Sequence, residues 1–453
     1  MKKAITLILV AGLLTMSLSA CSAKANNDKG NTTNIEENKE NIEITAEETE
    51  EKMTMLELPE SLENPDITIL WHTSGQQYQI NLAANPDTFD AVWSVKDEFE
   101  KKYGGKVNVI DVGWGDQKDT LIKQVNAGEV VDLVQAHDQN FPIYPAKNLV
   151  QDISKFVDLD NEFWNQGVTD AFKFGGNAYA AGIDATPVVI YYNKILFETY
   201  GQKTPMELFE EGNWTWETFR DTAIAMTGDT DGDSEVDAYG FGWWDTAYVQ
   251  FLATNGVRSI AYNEDGTIGS NYLDASAIET MTFIQDAFLK DKFIDASQTG
   301  DYFIDLFKSG KLAMTCEYGF NGFDALSAGY EIGWAPLPKG PSGEELQGGG
   351  GLSGWSIPVT ATNGEGAAAF MGMSASMQKE YSHSKLVNKY GEEDVALMNA
   401  LAEKIVFFPI GIEAYWDANW TIYEGIINGT PVNTFLTTAD EQIVAGGKAT
   451  LEQ

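Results

Sequence analysis

Histidine, cysteine and positive charge are all scarce in this chain, and each scarcity closes a route. Only His72, His137 and His383 are there to act as imidazole bases or metal ligands. The H-E-x-x-H, G-x-S-x-G and P-loop patterns are missing, so no local catalytic signature is present. Two cysteines, Cys21 and Cys316, leave little scope for a disulfide framework. Lys and Arg total 29 against 68 Asp and Glu, a formal net charge of -39. So negative a field repels nucleic acid, anionic lipid and anionic substrates and suits a neutral or cationic ligand. Solubility in a salty exterior is the plainer reading of the same charge. Long apolar runs are lacking as well. The one that stands out, Ile5 to Ala20, is short of the ~20 residues that cross a bilayer.

What is present starts with that short run. Lys2 and Lys3 precede it and Leu18-Ser19-Ala20-Cys21 closes it. A basic start, a short apolar run and small residues before a cysteine make a secretory signal peptide. The ending resembles a bacterial lipobox, whose cysteine takes a diacylglycerol and becomes the first residue of the mature lipoprotein. A plain secretory signal and a membrane span are the alternatives. The lipobox reading makes 1–20 the signal and Cys21 the lipidated residue. It implies a lipid anchor with a palmitate chain and places the protein at the extracytoplasmic face of the cell membrane. Cys316 is then without a partner, and the apolar run Leu312 to Cys316 marks it as a buried, inert thiol. Residues 21–63 read as a disordered tether. They are dense in Asn, Glu, Thr and Lys and have no aromatic residue. Such a chain spans ~35 Å on average, longer when like charges extend it.

At 453 residues the chain is long enough for two lobes, each with a core. Its 43% apolar and 21% charged content is ordinary for a globular protein. The body opens on a strand at Ile67 to Trp71 and a helix at about 89–103, with Phe89, Val92, Val95 and Phe99 on one face and Gly104 as its stop. A strand at Val107 to Val112, a helix from Lys118 to Asn126 and a strand at Val130 to Val134 follow. Strand alternating with helix predicts an α/β lobe with a largely parallel sheet. Ligands then sit beyond the carboxyl ends of the strands, at Trp71 to Gln76, Gly113 to Asp116 and Gln135 to Asp138. Further on, Ser276 and Glu279 match a capping box that opens a helix. Its stripe of Ile278, Met281, Ile284 and Phe288 reads as core.

Several ordered segments resemble the extracellular solute-binding proteins of ABC transporters, in the carbohydrate-binding family that includes maltose-binding protein. They are Gly176 to Ala180 with Val189 to Lys194 and Leu196-Phe197, Thr204-Pro205, Trp214 to Phe219, and Phe307 to Met314. Ile332 to Pro338, Gly348 to Gly351 and Gly354 to Pro358 complete the pattern, over roughly 66–440. The resemblance implies a two-lobed, periplasmic-binding-protein-like α/β fold with the ligand cleft between the lobes. Lobe 1 is expected at 64–183 and 352–403, lobe 2 at 184–351 and 404–453. Hinge crossings are expected near Ile183 to Thr186, Gly351 to Trp355 and Glu403 to Phe408. The four glycines 348–351 read either as a hinge or as a floppy surface loop. The implied function is capture of a neutral sugar or oligosaccharide by a monomer that is not an enzyme and delivers its cargo to membrane permease subunits.

A sugar site needs flat aromatic platforms with carboxylates and amides at their edges. The resemblance puts Asp138 at the family's hydroxyl-accepting carboxylate and Trp416 at a late stacking position. Trp243, Trp244, Tyr248 and Tyr318 or Phe320 fall on the second lobe, with Thr73, Gln76, Trp114, Asp184 and Trp355 as further expected ligand contacts. Core packing is the alternative for each aromatic. Gln135 stands where maltose-binding protein has an aromatic, which implies a different sugar. No cofactor is required by this reading. A structural calcium is a further expectation, because Asp229, Asp231, Asp233, Glu235 and Asp237 put carboxylates at alternate positions, as an EF-hand-like loop begins. Ser234 replaces the usual glycine and Gly240 the closing glutamate, so a solvated acidic turn is the alternative. Two rival functions remain open: binding of a polyamine or peptide, and a tethered glycoside hydrolase with two carboxylates across the cleft.

Overall fold

The apolar and β-branched runs of the first third fold as their periodicity requires, with two exceptions. The computed structural model describes residues 56–452, apart from 87, 231, 264–265 and 296–301. The expected signal peptide, Cys21 and most of the expected tether lie outside the described residues. Strand β1, Ile67–Trp71, is buried at every position but Thr68. The polar helix α1, Gly75–Ala84, has no buried residue, and Ser74 caps it by accepting from the Gln77 amide. No apolar period marks it, which is why the sequence reading shows only a turn there. Helix α2, Trp93–Tyr103, buries Val95 and Phe99 and ends at Gly104, whose φ of 80° favours glycine. Strand β2, Val107–Asp111, leads to α3, Gln117–Ala127. Strand β3 is Leu133–His137, three residues beyond its expected start. Asp132 causes the shift: its carboxylate accepts from the amides of Thr68, Thr362 and Asn363 at 2.9–3.0 Å, a bracket that precedes the ladder. β1 pairs in parallel with both β2 and β3.

Two long strands carry the chain between lobes. Strand β4, Ala181–Asn193, pairs through its first half with β8, Gly348–Ser356. Its second half lies between β6, Leu312–Tyr318, and β7, Ile332–Ala335. With β5, Tyr239–Gly242, the order is β2-β1-β3-β8-β4-β6-β5, while β7 joins β4 and β9, Ile405–Val406, joins β8. β8 runs antiparallel to β3 and β4, so the sheet is mixed rather than largely parallel. All three expected crossings lie side by side in this ribbon.

The glycines of β8 settle a choice the sequence leaves open. They are strand residues with close neighbours. A Cβ on Gly350 would sit 2.5 Å from the Thr186 carbonyl oxygen, and one on Gly349 would overlap Gln250 Oε1. None of the four has a positive φ; close neighbours, not left-handed backbone, require glycine at 349 and 350, whereas a Cβ on Gly351 would make only ordinary contact.

Each lobe has its own core. Ile67, Ile69, Val95, Phe99, Trp355 and Phe370 form one cluster, and Phe219, Phe241, Tyr248, Phe251, Ile284 and Ile422 belong to the other. Leu56, Leu58 and Leu62 pack on the first cluster, so the ordered body begins before the tether's expected end at 63. Helix α4, Ala275–Leu289, buries Met281, Ile284 and Phe288 as expected, but the capping box is not formed. Its N-cap is Asp274, and Glu279 Oε2 accepts from Asn255 Nδ2 at 3.0 Å and Ser342 Oγ at 2.9 Å. Helix α5, Gly364–Tyr390, starts in the first core and stacks Tyr390 on Phe320 of the second lobe, 4.2 Å between centroids. In α6, Glu392–Ala402, Met398 and Leu401 share a cluster with Val189 and Tyr191 of β4. Helices α7, Tyr415–Ile427, and α8, Val432–Glu452, close the second lobe. No described helix is long and apolar enough to cross a membrane.

Candidate functional site

The carboxyl ends of β1, β2 and β3 present His72, Trp114 and His137 together. The Trp114 indole stacks on His137 at 4.2 Å and meets the edge of His72 at 4.6 Å. It is still 41% exposed, so one face remains open. A cavity of about 330 Å³ lies against it, closed on the other side by the segment Ile410 to Asp417. That segment is tied to the first lobe by its backbone. The amides of Ile410 and Gly411 donate to the Asp138 carbonyl at 3.0 and 2.9 Å.

The backbone then turns sharply into α7. Ala414 adopts φ 61°, ψ 9°, a left-handed conformation that costs a non-glycine residue of order 1 kcal/mol. Helix α8 holds it there. The Glu413 amide donates to Thr450 Oγ1 at 3.0 Å, and Gly446 lies so close to the Glu413 carbonyl that no Cβ fits. The turn buries Tyr415 and leaves Trp416 half exposed on the cavity wall.

Asp138 lies between two residues of the cavity lining, His137 and Gln139, and its Oδ1 is 3.3 Å from His137 Nδ1. Burial first, and the Asp138 charge after it, push the Tyr415 hydroxyl up to about 12. The same two causes raise Tyr318, with Asp138 the largest of the charges acting on it. One carboxylate therefore acts through its charge on two phenols. On the crossing strands, Asp184 accepts from Ser353 Oγ at 2.8 Å and Gln378 Nε2 at 3.4 Å. Asp184 is reached by water, yet surrounding protein holds its carboxyl above the usual range despite those hydrogen bonds. Gln135 donates to Ser353 Oγ at 3.2 Å, while its buried Oε1 has no protein partner.

The structure thus brings Trp114 and Trp416 to the cavity lining, leaves Asp138 just outside it between the lining residues His137 and Gln139, and brings Asp184 and Tyr318 to the crossing ribbon. Trp244 is half-buried and stacks on Tyr318 with 5.8 Å between centroids. Phe320, the alternative to Tyr318, is taken up by Tyr390. Thr73 and Gln76 lie just past β1; the Thr73 carbonyl accepts from Trp93 Nε1 at 2.7 Å and Gln76 is exposed in α1. Three expected contacts are core residues instead. Trp243 packs edge-on to Phe241 and Phe251. Tyr248 is 1% exposed and its hydroxyl donates to Asn419 Oδ1. Trp355 stacks on Trp71 at 5.1 Å inside lobe 1. Sequence reasoning missed His72, Tyr415 and Gln378. His72 shared the post-strand turn with Thr73, and Tyr415 adjoined Trp416, so position marked both.

Three carboxylates of the acidic turn, those of Asp229, Asp233 and Asp237, accept hydrogen bonds within it. Asp229 accepts from the amides of Gly232 and Ser234 at 2.6 and 2.8 Å, and Asp233 from that of Glu235 at 2.8 Å. Asp237 accepts from Thr230 at 2.7–2.8 Å and pairs with Lys311 at 3.2 Å. Thr230 holds the Asp237 carboxyl below its usual range. Among the described residues no group of three or more His, Cys, Asp or Glu is placed to hold a metal; Asp231 lies outside them.

The family model for bacterial extracellular solute-binding proteins matches residues 83–380. Three similar solved structures share this fold. A cyclo/maltodextrin-binding protein complexed with maltotetraose is 21% identical, with TM-score 0.66 over 84% of this chain and 97% of its own. A Staphylococcus aureus extracellular solute-binding protein in complex with maltose is 17% identical, with TM-score 0.65 over 85% and 99%. A cyclic alpha-maltosyl-1,6-maltose binding protein from Arthrobacter globiformis is 14% identical, with TM-score 0.66 over 85% and 100%.

Proposed function

The chain belongs to the bacterial extracellular solute-binding proteins, and from that premise we propose that it captures a neutral oligosaccharide between its lobes. It passes this cargo unaltered to the permease of an ABC transporter. The observation that carries the reading is the cavity itself: Trp114 and Trp416 line it from opposite sides, and Asp138 stands in sequence between its lining residues His137 and Gln139. A pyranose ring offers C–H faces that suit indole and hydroxyls that suit carboxylate and phenol, so both kinds of surface are satisfied at once. Maltotetraose, maltose and a cyclic maltosyl-maltose are the ligands named for the three similar structures, and they support the saccharide class. Lipid on Cys21 would hold the protein at the outer face of the membrane.

A thermal-shift screen of the mature chain against neutral oligosaccharides tests the binding. Ligand at 100 times its Kd adds ~2.7 kcal/mol of stability. Chromatography of the incubated sugar should show no product; released shorter saccharides would support the hydrolase. A shift with spermidine or a peptide and none with any sugar would overturn the saccharide class. Cys21→Ala should leave the chain unlabelled by lipid and out of the membrane fraction.

A further inference from the structure

Helix α7 carries two kinds of surface. Tyr415, Ala418, Asn419, Ile422 and Ile426 are buried in the lobe 2 core. Trp416 and Trp420 lie one turn apart on an adjoining face and are 50% and 43% exposed. Four residues of helix advance ~6 Å, close to the length of one pyranose unit. Trp416 lines the cavity, whereas Trp420 lies beyond its lining. Trp420 is braced rather than loose: its ring meets Tyr423 edge-on at 5.8 Å, and Tyr423 is 5% exposed. Exposed carboxylates flank the row at Asp417 and Glu424. Two exposed indoles thus stand one helical turn apart, and the first of them lines the cavity.

Resting on the oligosaccharide reading, we infer that Trp420 is an outer stacking platform, and that the ligand is a saccharide chain long enough to pass Trp416 and lie along α7. A disaccharide fills the cavity alone; a longer chain also covers Trp420. The place of Trp420 one turn beyond a ring that lines the cavity favours the ligand itself as its occupant over a protein partner.

The test is calorimetric titration of the full mature chain, as wild type, Trp420→Ala and Trp420→Phe. The probes are ladders of two to seven units of α-1,4-glucan, β-1,4-glucan, β-1,4-xylan and β-1,4-mannan. In whichever ladder binds, wild-type affinity should rise with length. Trp420→Ala should lose about tenfold for the longest chains and under twofold for the disaccharide. Trp420→Phe should restore most of the loss, with the ligand-free melting temperature unmoved in both variants. Equal losses at all lengths, or an unaltered rise with length in Trp420→Ala, overturns the outer platform and leaves the oligosaccharide reading standing. Failure of every ladder to bind wild type overturns both.

Discussion

The two sides of the cleft are built differently. On lobe 1, Trp114 is packed between two imidazoles, and His72 in turn touches Trp71 at 4.2 Å. On lobe 2, Trp416 has an edge contact with Tyr415 and otherwise half its surface in water. One platform is part of its lobe's packing, while the other is held from behind by a strained backbone turn. The contrast teaches that a ring can be positioned by its neighbours or by its own main chain. The two solutions respond to different perturbations.

Acid should separate them most. Burial lowers the His72 pKa from 6.5 to about 4; Asp90 opposes this and His137 adds to it. The folded value lies below the unfolded one, so the unfolded chain binds the extra proton between them. Stability from this group is complete above about pH 6.5 and is lost as pH falls towards 4. The full linkage approaches ~3 kcal/mol, reduced by the ring's partial exposure. His72→Phe should flatten the slope of stability between pH 6.5 and 4 in denaturant titrations; an unchanged slope would mean that His72 does not report on this wall.

Trp416→Ala comes next. It should weaken sugar binding by ~2 kcal/mol, about thirtyfold, while the ligand-free melting temperature moves by less than ~2 °C. Retained affinity with a large loss of stability would make Trp416 a core residue and erase the contrast. Trp114→Ala should lower both quantities, with ~1 kcal/mol of ligand-free stability lost through its two ring contacts. The smallest effect is expected away from the cleft. Calcium added to chelator-treated protein should shift the melting temperature by less than ~1 °C. A larger rise, abolished in Asp229→Asn, would assign a cation to the acidic turn.

Much of lobe 1 was legible because its segments announce their periods. Val92, Val95 and Phe99 mark α2, and Gly104 and Gly128 stop their helices by left-handed geometry that few other residues accept. Helix α1 was invisible because none of its residues is buried, so no apolar stripe records it. Ser276 and Glu279 had the right spacing for a cap, but Glu279 satisfies groups on Asn255 and Ser342, contacts that no local pattern encodes. The site was legible in part for a related reason. Trp243 and Trp244 are neighbours in sequence, yet one enters the core and the other stacks towards the cleft. Composition shows that a chain has rings to offer; only the direction of each side chain decides between platform and core.

The crossing ribbon has a mechanical meaning. β4, β8 and β9 are hydrogen-bonded to one another where they pass between lobes, and the sheet continues through them into both. Sliding one lobe along the other would break ladder bonds across the whole waist. Twisting the ribbon about its own axis keeps them. A change in the angle between the lobes is therefore cheapest as a twist of this ribbon. The missing side chain at Gly350 lets β8 lie against the Thr186 carbonyl of β4 within it.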